Sequence, residues 1–173
     1  MNKIKRQYPL KESEKKALFK RLFEKFNKSP ERTFGVKPKI EVVEFHERKV
    51  FIVNGKPLLI EVKDDLIPTL LCEDLVQQLS KVIVDMGAIP HICNGADIMA
   101  PGIVKIEGEF EEGDLVAVLD EKHGKTIAIA KALLNSRDAR KLRHGKIFEN
   151  IHHVGDQVWR ISREILGNER VKT

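Results

Sequence analysis

The sequence is poor in cysteine and in aromatic residues. Its 173 residues include two cysteines, Cys72 and Cys93, one tryptophan and one tyrosine. Two cysteines outside any CxxC pair exclude a disulfide scaffold and a cysteine-rich zinc site. No stretch approaches the ~18 consecutive apolar residues of a membrane helix, and the N-terminus lacks the apolar core of a signal peptide. We therefore expect a cytoplasmic protein with no membrane partner.

Motifs that carry chemistry are also scarce. The chain has neither GxxxxGK[ST] nor GxGxxG, so no phosphate-cradling nucleotide loop is expected. Cys93 lies two residues from His91, but helical residues at that spacing point to different sides. His152 and His153 are adjacent, and neighbours in a strand face opposite ways, which disfavours a shared metal ion. The charged turn around Asp120 is typical of a solvated surface. These observations indicate a protein that is not an enzyme and needs no cofactor or metal.

What the sequence has in excess is positive charge at one end. The net charge is +5, yet residues 1–39 alone contain 13 basic and 4 acidic side chains. Residues 79–173 contain 14 of each and are neutral. This asymmetry is typical of a protein whose N-terminal part contacts a polyanion. A solvated helix face in a charge-rich chain explains it equally well.

The first half predicts one helix followed by short strands. Residues 12–27 predict an amphipathic helix, capped by Ser13 and ended by Asn27 before a Ser-Pro pair. Its apolar face, which we expect to cover a sheet, comprises Phe19, Leu22, Phe23 and Phe26. Strands are predicted at Ile40–His46, Lys49–Val53 and Leu58–Val62, with a type I′ hairpin turn at Asn54-Gly55. A second helix is predicted to begin at Pro68 and to end near Ser80.

The second half predicts a small barrel. A short helix over Gly87–Asn94, with Gly95 as its left-handed cap, is followed by a turn at Ala100-Pro101-Gly102. Many short strands separated by regular turns are typical of a barrel. The predicted strands are Lys81–Asp85, Ile103–Ile106, Leu115–Leu119, Thr126–Ala132, Lys146–His153 and Gln157–Ile161.

The segment 84–103, VDMGAIPHICNGADIMAPGI, resembles the opening of a PUA domain, the module named for pseudouridine synthases and archaeosine transglycosylases. The shared features occur in the family's order: a Gly-Ala pair before the helix, a second Gly-Ala pair after it, and a Pro-Gly turn into the next strand. The segments EGDLVAV and AIA, at 112–118 and 128–130, and a closing strand around Trp159 are also similar to that family.

A second resemblance is more specific. The segment 145–159, GKIFENIHHVGDQVW, is similar to the C-terminal signature of the malignant T-cell-amplified sequence proteins and their archaeal relatives. Residues 51–55 and 68–70 resemble the pre-PUA domain of the same family. The resemblance implies an α+β fold, with an N-terminal α+β pre-PUA domain packed on a C-terminal PUA pseudo-barrel. The implied limits are 1–78 and 79–163, followed by a C-terminal tail at 164–173.

The resemblance also implies function. It predicts an RNA-binding translation accessory factor that binds structured RNA (tRNA or rRNA) and works with the small ribosomal subunit and an initiation-factor-like protein. Carried onto this chain, the RNA-contact residues are Gly95, Ala96, Met99, Pro101 and Gly102. Phosphate contacts are expected at Lys105 and in the basic run Arg137, Arg140, Lys141 and Arg143, which is otherwise a solvated helix. Lys16, Lys20 and Lys25 would extend the footprint.

Two alternatives remain open at this point. The chain could be an RNA-binding accessory subunit for an RNA-modifying enzyme, since PUA domains often serve catalytic partners. The first 78 residues are too short to hold a pseudouridine synthase or transglycosylase domain of their own. The chain could also be an adaptor whose phenylalanine-rich helix face docks a partner protein, although covering the N-terminal sheet is the favoured role of that face.

Overall fold

The computed structural model describes the backbone of residues 4–171 and the side chains of residues 4–168. The chain divides into two compact units, and each is described by itself. The first unit comprises Met1–Leu75 with Arg160–Thr173, and the second unit comprises Val76–Trp159. Among the described residues, no helix is long and apolar enough to cross a membrane.

The first unit is built on a five-stranded antiparallel sheet in the order β1-β2-β3-β4-β5. Its elements are β1 Arg6–Pro9, α1 Glu12–Phe26, α2 Pro30–Phe34, β2 Ile40–Phe45, β3 Arg48–Val53, β4 Lys56–Val62, β5 Asp65–Pro68 and α3 Glu73–Val76. The predicted hairpin turn is confirmed, because Asn54 and Gly55 both have positive φ angles, 50° and 82°. Pro57 is tolerated in β4 because the register shifts next to its partner Ile52.

Helix α1 packs on the unit's core through most of the predicted face, but Leu18 takes the place that was predicted for Phe23. Leu18 and Leu22 are buried, Phe19 and Phe26 are half-buried, and Phe23 is 54% exposed. The prediction that Phe23 covers the sheet is therefore wrong. The helix starts two residues earlier than a Ser13 cap requires, because the N-cap is Lys11, whose N–H donates to the Glu14 carboxylate (3.2 Å). Asn27 ends it in a left-handed conformation, as predicted.

The helix predicted from Pro68 to Ser80 is also wrong. The chain turns at Lys63 and Asp64, both with positive φ, and returns as the edge strand β5, which ends at Pro68. A proline fits there because an edge strand need not donate every backbone hydrogen bond. The buried Thr69 hydroxyl then donates to the Pro57 carbonyl (2.8 Å), which fixes the exit from the sheet. Only the single turn α3 is helical before the next strand begins.

The second unit is a mixed six-stranded sheet in the order β7-β11-β10-β9-β6-β8, with β6 and β9 parallel. Its elements are β6 Ser80–Val84, α4 Ile89–Ile92, β7 Ile98–Met99, a 3-10 turn at Ala100–Gly102, β8 Ile103–Glu107, β9 Leu115–Asp120, β10 Thr126–Ala132, α5 Ser136–Lys141 and β11 Lys146–His153. A core of aliphatic side chains with Phe110 and Phe148 fills it, the two rings lying 5.5 Å apart. The α+β fold class is confirmed.

The C-terminal segment differs from the prediction. Gln157–Val171 forms helix α6, so the strand predicted at 157–161 is wrong. Asp156 begins the helix by accepting a hydrogen bond from the Trp159 N–H (2.7 Å). Val158, Ile161 and Ser162 are buried at helical spacing, i, i+3 and i+4. Residues from Arg160 onwards cluster with the first unit.

Candidate RNA-binding surface

Four of the predicted RNA-contact residues line one cleft of the second unit. This α4 cleft has a volume of about 470 Å³ and lies beside α4 and the segment that leads to β8. Ala96, Met99, Pro101 and Gly102 all contribute to it. The remaining lining residues are Val84, Asp85, Ala88, His91, Ile92, Asp97 and Ile98. The family resemblance predicted Ala96, Met99, Pro101 and Gly102 as contacts, and the structure places them in one concave surface.

Two glycines shape this cleft. Helix α4 ends at Ile92 with Cys93 as its right-handed C-cap, so the predicted helix over Gly87–Asn94 with Gly95 as its cap is wrong. Gly95 lies in the turn that follows, with a φ of 94°, and its N–H donates to the Ile92 carbonyl (3.0 Å). Gly95 itself lies beside the cleft and does not line it. At Gly102 a Cβ atom would come within 3.0 Å of the Ala88 Cβ, so the 3-10 turn approaches the start of α4 closely and a larger residue would have to push Ala88 away.

Asn150 on β11 holds the end of α4 in place. Its side-chain Nδ2 donates to the carbonyl of Ile92 (3.0 Å) and to that of Ala96 (2.9 Å). Its backbone N–H donates to the Asp97 carboxylate (2.8 Å). A residue more than fifty positions later in the chain therefore fixes the loop that forms the cleft wall. The sequence prediction missed Asn150 as part of the site.

An ion pair lies at the rim of the α4 cleft. Lys146 Nζ is 2.8 Å from Asp97 Oδ2. Burial alone would raise the pKa of Asp97, but the hydrogen bonds from Lys146 and from the Asn150 backbone outweigh it and lower that pKa. The same hydrogen bond raises the pKa of Lys146. Lys146 pairs in register with Met99, so it places a cation beside an exposed apolar side chain.

Three of the five predicted phosphate contacts line a second cleft, and the other two, Arg137 and Lys141, do not. This α5 cleft, of about 480 Å³, lies between β8 and α5 and includes Lys105, Arg140 and Arg143. Pro101 lines both clefts, so the two adjoin. Two exposed apolar side chains that the sequence prediction did not single out, Val104 and Leu142, also line it.

The cations of the α5 cleft are not equally available. Lys105 lies 3.0 Å from Glu107. Arg140 lies 3.0 Å from Glu109 and also donates to the Gly108 carbonyl (2.6 Å). Arg143 is exposed and makes no ion pair within residues 4–168. It is therefore the side chain of this cleft that can approach a phosphate without first breaking a contact.

Two of the sequence candidates for catalysis or metal binding, Cys93 and His152, are partly or fully buried. Burial raises the pKa of the Cys93 thiol, which disfavours the reactive thiolate. The buried His152 side chain lies 2.8 Å from the Asp156 carboxylate, and Asp156 in turn begins α6. Within the part of the chain that the structure describes, no group of three or more His, Cys, Asp or Glu side chains could hold a metal ion.

We expect Asp156→Asn to lower the free energy of unfolding by about 1–3 kcal/mol at pH 7, because it weakens the cap and the contact with His152. Burial by itself would raise the Asp156 pKa, but the contact with His152 and two backbone N–H groups lower it. A lowered folded-state pKa means that the stabilisation is complete above the unfolded value near ~3.9 and is lost as the pH falls through the folded value. Urea unfolding at pH 7 and pH 3 should therefore show a difference that shrinks in acid.

The matched control is Glu112→Gln, which neutralises an exposed carboxyl without a hydrogen-bond partner among residues 4–168. It should change stability by less than ~0.5 kcal/mol. A destabilisation by Asp156→Asn that is the same at both pH values would contradict the role given to the carboxylate charge.

Comparison with known proteins matches both halves of the chain to domain families. Residues 80–154 match the PUA domain. Residues 5–73 match a domain of unknown function, DUF1947. The PUA domain is an RNA-binding module.

Three relatives show how far the similarity extends. A protein of Methanocaldococcus jannaschii is 34% identical over 90% of this chain and 96% of its own length. The translation machinery-associated protein 20 of Saccharomyces cerevisiae is 29% identical over 74% of this chain and 75% of its own length. A probable tRNA pseudouridine synthase B of Pyrobaculum aerophilum is 41% identical, but over 43% of this chain and 22% of its own length. The similarity to the enzyme is therefore confined to part of each chain.

A solved structure supports the same assignment. A hypothetical protein from the hyperthermophilic archaeon Pyrococcus horikoshii is 34% identical, with a TM-score of 0.75, and the match covers 91% of this chain and 99% of that one. The chain therefore belongs to the family predicted from its sequence, that of the malignant T-cell-amplified sequence proteins and their archaeal relatives, in which a DUF1947 domain precedes a PUA domain.

Proposed function

We propose that this protein is an RNA-binding accessory factor of translation that binds tRNA or the rRNA of the small ribosomal subunit. The PUA domain supplies the RNA-binding module, and the translation machinery-associated relative in yeast supports a role in translation. Such a factor acts in the cytoplasm, and an initiation-factor-like protein is the partner that the family resemblance suggests.

The observation that carries this proposal is the pair of adjoining clefts in the second unit. Met99 and Leu142 are each 47% exposed, and Pro101 lies where the clefts meet. Arg143 and Lys105 lie on the same surface. Sequence-specific RNA recognition uses unstacked bases on apolar or aromatic side chains, while cations hold the phosphates. This surface offers both kinds of contact.

The paired cations add a condition to this mode of binding. Arg140 is held by Glu109 and Lys146 by Asp97, so each would have to exchange a carboxylate for a phosphate. Both pairs are exposed enough for solvent to screen them, so the exchange is not prohibitive. We assign the primary phosphate contact to Arg143 and secondary contacts to Lys105, Arg140 and Lys146.

We expect Arg143→Glu to weaken tRNA binding about tenfold at 0.1 M salt, which corresponds to ~1.4 kcal/mol. Because one phosphate contact is lost, the slope of log affinity against log salt should fall by about one. Met99→Ser should weaken binding with little change in that slope, because it removes apolar contact and no charge. Fluorescence anisotropy with a labelled tRNA transcript measures both, and sedimentation with purified small subunits tests the ribosomal target.

The matched control is Lys122→Glu. Lys122 is exposed in the turn between β9 and β10 and lines neither cleft. Equal losses in Arg143→Glu and Lys122→Glu would mean that net charge, not this surface, governs binding. Absence of binding to both tRNA and small subunits at low salt would refute the proposed function.

An accessory role for an RNA-modifying enzyme is the second candidate. It is favoured by the similarity of the PUA region to that of a probable tRNA pseudouridine synthase. Purification of the tagged chain from its native cells distinguishes the two. A co-purifying modification enzyme supports the accessory role, whereas co-purifying small subunits support the translation role.

A further inference from the structure

A third cleft lies in the first unit, between α1 and α2. This α1–α2 cleft has a volume of about 790 Å³. It is lined by Glu12, Lys15, Lys16, Phe19, Ser29, Pro30, Glu31, Gly35, Lys37 and Pro38. It therefore combines three lysines and two glutamates, one of them paired with Lys15, with the exposed edge of a half-buried phenylalanine. Val36, which is 79% exposed, lies between two of the lining residues along the chain.

The charges around this cleft are largely unpaired. Among the basic side chains of residues 11–39, ion pairs form at Lys15 with Glu12 (3.1 Å), at Lys20 with Glu24 (3.9 Å), at Arg21 with Glu61 and at Lys25 with Asp65. Six others make no ion pair with any residue in the range 4–168: Lys11, Lys16, Lys28, Arg32, Lys37 and Lys39. The same segment contains only four acidic residues.

This pattern differs from that of the two clefts in the second unit. There Lys105, Arg140 and Lys146 each have a carboxylate partner, and Arg143 is the one cation that makes no ion pair within residues 4–168. Unpaired cations keep their full attraction for a polyanion, because no carboxylate has to be displaced first. The attraction of this protein for polyanions is therefore concentrated in the first unit, although the clefts that contain the predicted RNA-contact residues lie in the second.

We propose that the α1–α2 cleft is a second RNA contact, at which Lys16 and Lys37 hold phosphates of the backbone without reading its sequence. This proposal rests on the RNA-binding function proposed above. RNA is the occupant that fits this cleft. Its phosphates would contact the unpaired lysines, and its bases or sugars would contact Phe19. Contacts of this kind add affinity that depends strongly on salt and little on sequence.

The structure also changes which lysines should be tested. The sequence predicted Lys16, Lys20 and Lys25 as one group. Lys25 is paired with Asp65, and nine residues of helix place it on the opposite side from Lys16. Lys37, distant in sequence from α1, lines the same cleft as Lys16. The informative variant is therefore the double substitution of Lys16 and Lys37.

We expect Lys16→Gln/Lys37→Gln in the full chain to weaken binding of labelled tRNA about tenfold at 50 mM salt and to lower the salt slope by about two, one for each phosphate contact. Binding of poly(U) should weaken by a similar factor, because the contact is independent of sequence. The matched control is Lys63→Gln/Lys122→Gln, which removes the same charge from exposed positions outside all three clefts. Because Lys16 and Lys37 are both exposed, their substitution should leave the thermal unfolding temperature unchanged.

The outcomes are distinct. An unchanged salt slope in the cleft variant, with Arg143→Glu still impaired, overturns this contact and leaves the proposed function intact. Equal losses in the test and control pairs also overturn it. Loss of binding to a labelled polyglutamate peptide without loss of RNA binding would assign the cleft to an acidic protein instead. If the unmodified chain binds neither tRNA nor poly(U) at low salt, the proposed function fails and this contact fails with it.

Discussion

Leu22→Ala should lower the free energy of unfolding of the first unit by about 2–5 kcal/mol, the range found when a fully buried leucine is truncated. Leu22 has no exposed surface and packs in a core with Leu18, Phe51 and Leu59. The cost combines the lost burial of the side chain with the cavity that remains. Urea unfolding followed by far-ultraviolet circular dichroism measures it, and the loss should exceed that of any surface substitution in the same unit.

The adjacent Phe23 is the matched control, because it lies on the same helix but is 54% exposed. We expect Phe23→Ala to cost less than about 1 kcal/mol, although phenylalanine is the larger side chain. Equal destabilisation by the two substitutions would contradict the burial pattern of α1. It would instead restore the sequence prediction, in which Phe23 covers the sheet.

Local backbone chemistry was the part of the fold that the sequence predicted best. Asn54-Gly55 predicts a type I′ hairpin, because the turn requires positive φ at two successive residues and few residue pairs adopt it. Asn27 ends α1, as predicted, in a left-handed conformation that asparagine tolerates better than most residues. These predictions depend on the steric limits of one or two residues and on no distant contact.

The errors occurred where burial decided the outcome. Gln157–Ile161 contains residues that favour strands, yet Val158 and Ile161 are buried three positions apart in α6. The signal that could have revealed the helix was Asp156, three residues before Trp159, at N-cap spacing. Phe23 was assigned to the core because a periodic pattern defines a stripe but not its rotation toward the sheet.

The candidate site was predictable in its composition but not in its electrostatics. Resemblance to the PUA family indicated Met99, Pro101 and Gly102, which the structure places in one cleft. The pairing of Arg140 with Glu109 joins residues far apart in sequence, so a count of charges could not show it. For the same reason the count could not show that Lys16 and Lys37 remain unpaired around one cleft.

Asn150 is the residue on which the geometry of the α4 cleft depends most. Its two side-chain hydrogen bonds hold the Ile92 and Ala96 carbonyls, which lie at the end of a helix of only four residues. So short a helix has little stability of its own. Its Oδ1 is buried without a hydrogen-bond partner among the described residues, a cost that the two donated bonds must offset. The side-chain amide of Asn150 therefore serves to position the loop after α4, and not only to stabilise the second unit.

Asn150→Ala should lower the free energy of unfolding by about 1–3 kcal/mol, because two carbonyls lose their donor. It should also weaken tRNA binding about tenfold, because contact residues that are less ordered in the free protein lose more conformational entropy on binding. Hydrogen exchange at the Gly95 and Ala96 amides is the local measurement. Their N–H groups donate to Ile92 and His91, and their protection should fall more than that of amides in β9 or β10.

Asn94→Ala separates this role from the general effect of removing an asparagine. Asn94 is exposed at the end of α4, and its side chain has no hydrogen bond to another residue within 4–168. The control should leave both RNA affinity and exchange unchanged. One outcome is that Asn150→Ala reduces stability while the hydrogen-exchange protection of Gly95 and Ala96 falls only as much as that of other amides in the second unit. In that case Asn150 is only a core residue. If RNA affinity falls together with selective exchange at those two amides, the loop after α4 must be pre-positioned for RNA, and a residue of β11 that contacts no RNA sets the affinity of the cleft.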